Sequence, residues 1–528
     1  MTGVHTIGIS RPASPPTARM VGNKAANLAR LASLGLRVPP AIALETSVCR
    51  EYVALGRLPA DFAAQLGDGL RELERATGLG LGGRCPLVLS IRSSPAVSMP
   101  GMLETVLDVG LTEATVQGLI RRTGDHWLAW DAYRRLVRSF GTVVCAVPDE
   151  VFDSVEHQHL GQSSARELGE LDPLAMRDVA RAQASVLQAR TPRGLPPDPT
   201  EQVLMAVEAV LRSWSAPRAA AYRRMNGIDD DAGTGVLIQA MVFGNAGPRS
   251  GSGVGFTRNP ATGGDELYVD FAFNAQGEDI VAGRHVVVDS AMLPGVLPGI
   301  HRELVEARAL LEREFLDMQD FEFTVEDGLL YFLQTRDAKR TPWAALRVAV
   351  DLVHAGLLDT ETAMTRLLAY DLSAIERKVA RPGVGQRCLA HGVPASPGTV
   401  TGAISLARDL PGRANDPPAI LVRHDLATDD IRALSAAGAL LTAVGSRTSH
   451  AAVVARQLNR PCVVGCTDLV VDEAARTCVL GGTLLHDGDS VTLDGDSGAV
   501  YLGAVPVVTE RPDALLETVR RWEIVAAG

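Results

Sequence analysis

Aromatic residues are scarce. Five Trp, seven Tyr and eleven Phe make up 4% of 528 residues, too few for platforms on which unpaired bases could stack. Positive charge is also short, with 51 Lys and Arg against 62 Asp and Glu and a net charge of -11. That argues against bulk electrostatic binding to a nucleic-acid backbone, and no nucleic-acid partner is expected. No apolar run reaches membrane length, so no membrane partner is expected either. The opening Met1-Thr-Gly-Val-His-Thr-Ile7 lacks the basic and apolar regions of a signal peptide, and a cytoplasmic location is the default expectation. Cysteine is sparse and scattered at Cys49, Cys85, Cys145, Cys388, Cys462, Cys466 and Cys478. An odd number without a Cys-x-x-Cys pair reads as reduced thiols, not as a disulfide framework or a metal cluster. No short solenoid-type repeat is present.

What is present is apolar mass. Hydrophobic residues make up 46% and mean hydropathy is +0.10, enough for large cores and against general disorder. The length suits three or four domains of ~150 residues each.

One stretch organises the rest. Thr448-Ser449-His450-Ala-Ala-Val-Val-Ala-Arg456 follows an apolar run, Gly438 to Ala443, and a turn-like Val444-Gly445-Ser446-Arg447. The pattern predicts strand, turn and helix. Thr448 and Ser449 are N-cap types, and the alanines favour a helix from Ala451 to Leu458. His450 then lies at the helix's first turn, where unpaired N–H groups and the positive dipole end favour an anion. A histidine so placed can carry a phosphoryl group, although by itself such a histidine is more often a plain surface or capping residue.

Earlier in the chain, Met20 to Gly35 has apolar positions at helical spacing, with Gly35 suited to the C′ position. Lys24, just after Gly22, is a candidate phosphate contact on that helix. Leu87 to Pro95 reads as a strand delivering Arg92 to the loop Ala96-Val-Ser-Met-Pro-Gly-Met102. Arginine's fork of donors matches phosphate oxygens, and backbone N–H groups around Gly101 could close on terminal phosphates. Trp127 to Phe140 reads as a helix carrying Arg135. From Asp149 to about Asn226 the chain reads as helical, broken by a loop at Thr191–Thr200.

Gly235 to Gly244 reads as a buried strand whose Gln239 needs polar partners, a nucleotide being one candidate. Ser250-Gly-Ser-Gly-Val-Gly-Phe-Thr-Arg-Asn-Pro260 reads as a glycine-rich loop that could approach phosphates. It lacks the Gly-Lys-Ser/Thr ending of a Walker motif. Met318 to Glu326 and Leu329 to Arg336 read as a hairpin around Asp327-Gly328. Glu322 alternates with Phe321 and Phe323 and so points away from them. With Gln334 on the second strand, it supplies oxygen ligands suited to Mg²⁺.

Ala338 to about Arg387 reads as a helical connector that could let the histidine region swing. Short strands are expected at Ala403–Ala407, Ala419–Val422, Leu440–Ala443, Val463-Val464, Ser490–Leu493 and Ala499–Leu502.

Taken together, these stretches resemble the pyruvate phosphate dikinase family. Thr448 to Arg456, followed by Pro461-Cys-Val-Val-Gly-Cys466, is similar to its phosphohistidine segment, with His450 matching the phosphorylated residue. Val97-Ser-Met-Pro-Gly-Met102, the 250–260 stretch and Asn274 to Gly283 are similar to the dikinases. Two departures stand out: Gly445-Ser446-Arg447 where the family usually has Gly-Gly and a variable residue, and Ser252 where Thr is common. The resemblance implies an α/β multidomain fold, with an ATP-grasp nucleotide-binding domain and helical subdomain over 1–340. A helical linker over 341–387, a swivelling β/α phosphohistidine domain over 388–507 and a short helical tail over 508–528 follow. It carries Lys24, Arg135, Glu278 and Arg336 to nucleotide or phosphate and Glu322 and Gln334 to Mg²⁺; Arg92, Gly101, Gln239 and Ser252 complete the candidate set.

The implied activity forms phosphohistidine at His450 from Mg-ATP and phosphate, releases AMP and pyrophosphate, and passes the phosphoryl group to pyruvate on a separate subunit. Another small-molecule acceptor, or a non-catalytic nucleotide-binding regulator, are the alternatives. The resemblance runs from about Val21 to about Val505, so the family's phosphoenolpyruvate/pyruvate barrel is not expected within this chain. A separate acceptor-domain protein is the partner expectation, and homodimerisation is left open.

Overall fold

The computed structural model describes residues 3–9, 14–99, 101–277, 279, 288–407, 418–426, 431–445, 447 and 449–527, with backbone alone at 289, 431, 432, 450 and 523–527. The chain divides into two compact units, Met1–Ser250 with Val325–Thr335, and Gly251–Thr324 with Arg336–Gly528.

The first unit is built on a five-stranded antiparallel sheet. Its strand order is Val4–Ile7, Ala41–Leu44, Thr234–Ala240, Leu89–Pro95 and Thr105–Val109. Every residue of the central strand Thr234–Ala240 is buried, which explains its unbroken apolar reading. Helix Asn23–Ser33 packs beside it and ends as expected. Gly35 takes φ +84, its N–H donates to Ala32 O at 3.1 Å, and the N–H of Leu36 reaches back to Leu31 O at 3.2 Å. This is the paired closure of a Schellman end.

The predicted helical stretch is present as Asp149–Gly161, Pro173–Arg190, Pro199–Ser213 and Pro217–Met225. Three of these start with proline in the first turn, and Asp172 and Asp198 cap the ones they precede.

The second unit begins with a sheet ordered Leu329–Asp337, Gln319–Glu326, Gly251–Phe256, Tyr268–Phe273 and Val288–Asp289. Asp327 and Gly328 turn the hairpin with φ +48 and +79, the left-handed pair that a tight hairpin needs. The hairpin tip, 325–335, counts with the first unit.

Here the glycine-rich expectation is corrected. Gly251–Phe256 is not a loop but a fully buried strand. A Cβ on Gly251, Gly253 or Gly255 would come within 2.2 to 2.4 Å of the rings of Phe271, Phe323 and Phe321 respectively. These glycines make room for aromatic packing on neighbouring strands.

The segment 388–502 forms an eight-stranded sheet. Its order is Cys388–His391, Ala499–Leu502, Ser490–Asp494, Thr399–Ser405, Ala419–Arg423, Ala439–Thr442, Cys462–Val464 and Val393–Ser396. The four strands from Thr399–Ser405 to Cys462–Val464 run parallel. Side chains alternate between two cores: Ile420, Val422, Leu441 and Val463 on one face, Leu421, Leu440, Cys462 and Val464 on the other. Burial on both faces gives the continuous apolar runs seen in the sequence. A three-stranded sheet at Leu469–Asp472, Thr477–Leu480 and Thr483–His486 was not anticipated.

The stretch read as a connector packs into a core that also takes in Phe256 and Met318. Helices Pro342–His354 and Thr360–Leu367 join Asp513–Ala527 around buried Leu346, Leu352, Leu367, Leu516 and Val519. Each such side chain contributes roughly 1.5–3 kcal/mol when fully buried. Strand Arg377–Ala380 pairs antiparallel with Val507–Glu510, and Arg377 Nη2 meets Glu510 Oε2 at 2.9 Å. No helix among the described residues is long and apolar enough to cross a membrane.

Two glycines test the first unit. A Cβ on Gly22 would lie 1.4 Å from the backbone oxygen of Ser94, whereas one on Gly35 meets nothing within 4 Å. Chemical denaturation should show Gly35→Ala costing about 1 kcal/mol through its left-handed backbone alone. Gly22→Ala should cost at least about 3 kcal/mol. Equal losses would show that the helix start does not depend on this close approach.

Candidate active site

In the first unit, the start of helix Asn23–Ser33 is fixed to strand Leu89–Pro95. Gly22 lies against Ser94, and the N–H of Ala25 donates to Ser94 Oγ at 3.1 Å. Lys24, half-buried, sits in this first turn. Arg92 is the one half-buried residue of a strand otherwise buried throughout. Lys24 and Arg92 are thus borne by elements locked together by backbone contact. On the adjacent strand Gln239 is cross-strand partner to Ser90. It is 2% exposed, and its Nε2 has no hydrogen-bond acceptor among the described residues. A buried amide left so costs about 1–3 kcal/mol, and an acceptor on a ligand would remove that penalty.

Gly101 is an exposed turn residue with φ +69 and open space where a Cβ would be. Arg135 is more committed than the sequence suggested. Its Nε donates to Asp131 Oδ2 at 2.6 Å, while Arg134 donates to Asp131 Oδ1 at 2.9 and 2.7 Å. Burial alone would raise the Asp131 carboxyl, but the Arg135 and Arg134 guanidiniums together hold it below the usual carboxylate range. The i,i+4 spacing of Asp131 and Arg135 was the available signal.

Gln334 is buried on the hairpin tip, 7% exposed. Within the first unit that tip is tied down by Asn27 Nδ2 donating to Thr335 O at 2.9 Å and by Arg37 Nη1 donating to Leu330 O at 3.1 Å.

In the second unit the predicted alternation holds: Phe321 and Phe323 are buried, and Glu322 is half-exposed. The sequence reading passed over Asp320. This residue is 3% exposed, and both its oxygens accept from Arg336 Nε at 2.8 Å. Asp320 lies two residues before Glu322, hence on the same strand face, and that spacing could have found it. Burial pushes the Asp320 carboxyl up to about 6, with Arg336 opposing the rise and Glu322 adding to it. Arg336 keeps 47% of its side chain exposed and so has donors free to face solvent or an anion.

Asp320 and Glu322 are hard oxygen donors of the kind Mg²⁺ takes while keeping several waters, and the amide oxygen of Gln334 is of the same class. Among the described residues no group of three or more His, Cys, Asp and Glu has metal-site geometry. Two protein ligands suffice for Mg²⁺ when phosphates complete its shell. Ser252 is fully buried and bonded to Thr324 Oγ1 at 3.0 Å. Glu278 lies outside the described residues.

His450 is the first residue of helix His450–Gln457, one position ahead of the expected start. Ser449 caps it: its backbone is extended and its Oγ accepts from Ala452 N at 3.5 Å. The helix packs Ala451, Ala452, Val454 and Ala455 against Leu421, Leu440, Cys462 and Val464. These contacts hold the helix against the sheet's parallel strands, and a helix start is a place that favours an anion.

Comparison with known proteins gives the family. Residues 53–295 match the pyruvate phosphate dikinase AMP/ATP-binding domain, and residues 415–498 match the mobile domain of PEP-utilising enzymes. The chain is 40% identical over 509 residues to the chloroplastic pyruvate, phosphate dikinase of Flaveria pringlei, covering 95% of this chain and 53% of that protein. Identity to pyruvate, phosphate dikinase of Clostridium symbiosum is 37% over 510 residues, covering 95% and 58%. For Rhizobium meliloti (strain 1021) it is 37% over 536 residues, covering 98% and 60%. The chain spans about half the length of the curated relatives it matches. It belongs to the pyruvate phosphate dikinase family, as an α/β multidomain chain with an ATP-grasp-type nucleotide-binding domain and the family's mobile domain.

Proposed function

We propose that the chain is a phosphotransferase that forms phosphohistidine at His450 from ATP and inorganic phosphate. The observation that carries this reading is the position of His450 at the first residue of a capped helix, where a helix start favours added negative charge. Lys24, Arg92 and Arg336 supply cations of the kind that hold polyphosphate.

The chemistry follows in two displacements. A neutral imidazole nitrogen of His450 attacks the β-phosphorus of ATP, the bond to the α-phosphate oxygen breaks, and AMP leaves. An oxygen of inorganic phosphate then attacks the terminal phosphorus on the modified histidine. Pyrophosphate leaves and one phosphoryl group remains on His450. Arginines at fixed positions favour the in-line geometry and offset charge on the equatorial oxygens. Glu322 and Gln334 would hold Mg²⁺, which when bound neutralises phosphate charge. Asp320 keeps Arg336 in place. The relatives' name pairs pyruvate with phosphate. Pyruvate on a separate acceptor-domain protein is accordingly the proposed recipient in the second half of the cycle.

Intact mass after incubation with Mg-ATP and phosphate, with AMP and pyrophosphate measured alongside, tests the reading. A phosphoryl adduct with both products supports it. An adduct with AMP and free phosphate would point to water as the second acceptor. ATP binding without any adduct would overturn it.

Two variants sharpen the assignment. His450→Ala should abolish the adduct while ATP affinity, measured by calorimetry, stays unchanged; loss of ATP binding would contradict a separate nucleotide site. Glu322→Ala should slow adduct formation by about a hundredfold and raise the Mg²⁺ concentration for half-maximal rate. An unaltered Mg²⁺ titration would remove Glu322 from the metal site.

A further inference from the structure

Two arginines bracket His450, Arg447 three residues before it and Arg456 six after. Arg456 is 1% exposed. Its Nη1 donates to Ala395 O and to Arg447 O, both at 2.8 Å, so it joins strand Val393–Ser396 to the turn that enters the histidine helix. Its Nε and Nη2 find no hydrogen-bond acceptor among the described residues. Beneath it lies an aromatic face: its guanidinium carbon is 5.6 Å from the ring centre of Phe256. Arg447 sits likewise over Tyr268, at 5.1 Å.

The two rings form one seat. Phe256 and Tyr268 are cross-strand partners, edge to face with centres 6.1 Å apart. The seat belongs to the sheet that carries Asp320 and Glu322; burial lowers the Arg456 guanidinium, with Tyr268, Cys462, Asp270 and Asp320 opposing the shift. A guanidinium withdrawn from water over a ring is held more firmly than an exposed one, yet it is weakly hydrated and leaves such a face without breaking hydrogen bonds. The contact is also incompletely packed. A cavity of about 530 Å³, lined in part by Tyr268, Arg308, Ser396 and Arg447, borders it. A permanent core would be filled to crystal-like density.

We infer that Arg447 and Arg456 are positioning residues that dock the His450 helix on the Phe256–Tyr268 ring pair, beside Asp320 and Arg336, and that His450 takes its phosphoryl group in this docked arrangement. The inference rests on the phosphohistidine reading of His450. Docking through two ring faces makes the helix removable, as it must be if the same histidine serves a second site.

The test compares Tyr268→Leu, which keeps bulk but removes the ring, with Tyr268→Phe, which keeps it, and adds Arg447→Met. Arg456→Lys is included because Arg456→Met could prevent folding. Two readouts are taken on the full chain: the rate of His450 labelling by ATP carrying label at its β-phosphate, at saturating ATP, and amide exchange of residues 450–457. Tyr268→Leu and Arg447→Met should each slow labelling about tenfold with ATP affinity unchanged. They should also lose protection in 450–457 while strand Ser490–Asp494 stays protected. Tyr268→Phe should restore both, and Arg456→Lys should fall between.

Labelling and protection in Tyr268→Leu equal to wild type would overturn the docking, as would Tyr268→Phe losing as much as Tyr268→Leu. If the wild-type chain takes no label, the phosphohistidine reading fails separately. The exchange comparison then decides the docking alone: protection lost in Tyr268→Leu and kept in Tyr268→Phe supports it, and no difference overturns it.

Discussion

A charge taken out of water has to be answered within hydrogen-bonding reach, and much of this chain is arranged to provide such answers. Arg258, 5% exposed, meets Glu312 through Nε and Nη2 at 2.9 and 3.1 Å and Asp351 through Nη1 at 2.9 Å. One side chain thus pins a strand end to two helices. Asp131 with Arg134 and Arg135, along a single helix, and Asp317 with Arg340 are buried pairs of the same kind. Removing one partner from such a buried pair typically costs about 3–5 kcal/mol, so each pair fixes its neighbours firmly. Arg456 departs from this rule. Carbonyl oxygens and a ring answer its charge, and no carboxylate among the described residues is bonded to it.

The parts legible in the sequence were those whose causes are local. The Asp327-Gly328 turn, the end of helix Asn23–Ser33 at Gly35 and the start of another at Ser449 and His450 each depend on residues within one turn. The alternation around Glu322 needs only three neighbours. Where the cause lay far along the chain, the reading slipped. The glycines of 251–255 looked like a phosphate-binding loop because the rings they accommodate, Phe271, Phe321 and Phe323, lie some distance away in sequence. The core beneath the connector helices was invisible because Leu516 and Val519 come from the far end of the chain.

The candidate site shows the same division. Residue types were readable, but commitments were not. Arg135 was visible as a cation, and its bond to Asp131 was hidden in plain helical spacing. Asp320 was overlooked because it precedes a more exposed carboxylate on the same strand face. Gln239 was recognised as a buried amide, yet only the folded chain shows that its nitrogen has no acceptor among the described residues. Membership of a family says which chemistry to expect. Which atoms remain available for that chemistry follows from packing.

The antiparallel pair Arg377–Ala380 and Val507–Glu510 has a mechanical consequence. The segment that bears His450 is entered and left through adjoining strands about 5 Å apart, with Arg377 bonded across them to Glu510. It is therefore hung from a two-ply ribbon, not strung along a single thread. A body suspended in this way can twist about its ribbon but cannot drift without unzipping it. Any rotation of that segment would be taken up as torsion in four paired residues, and lengthening a loop elsewhere would leave that constraint unaltered.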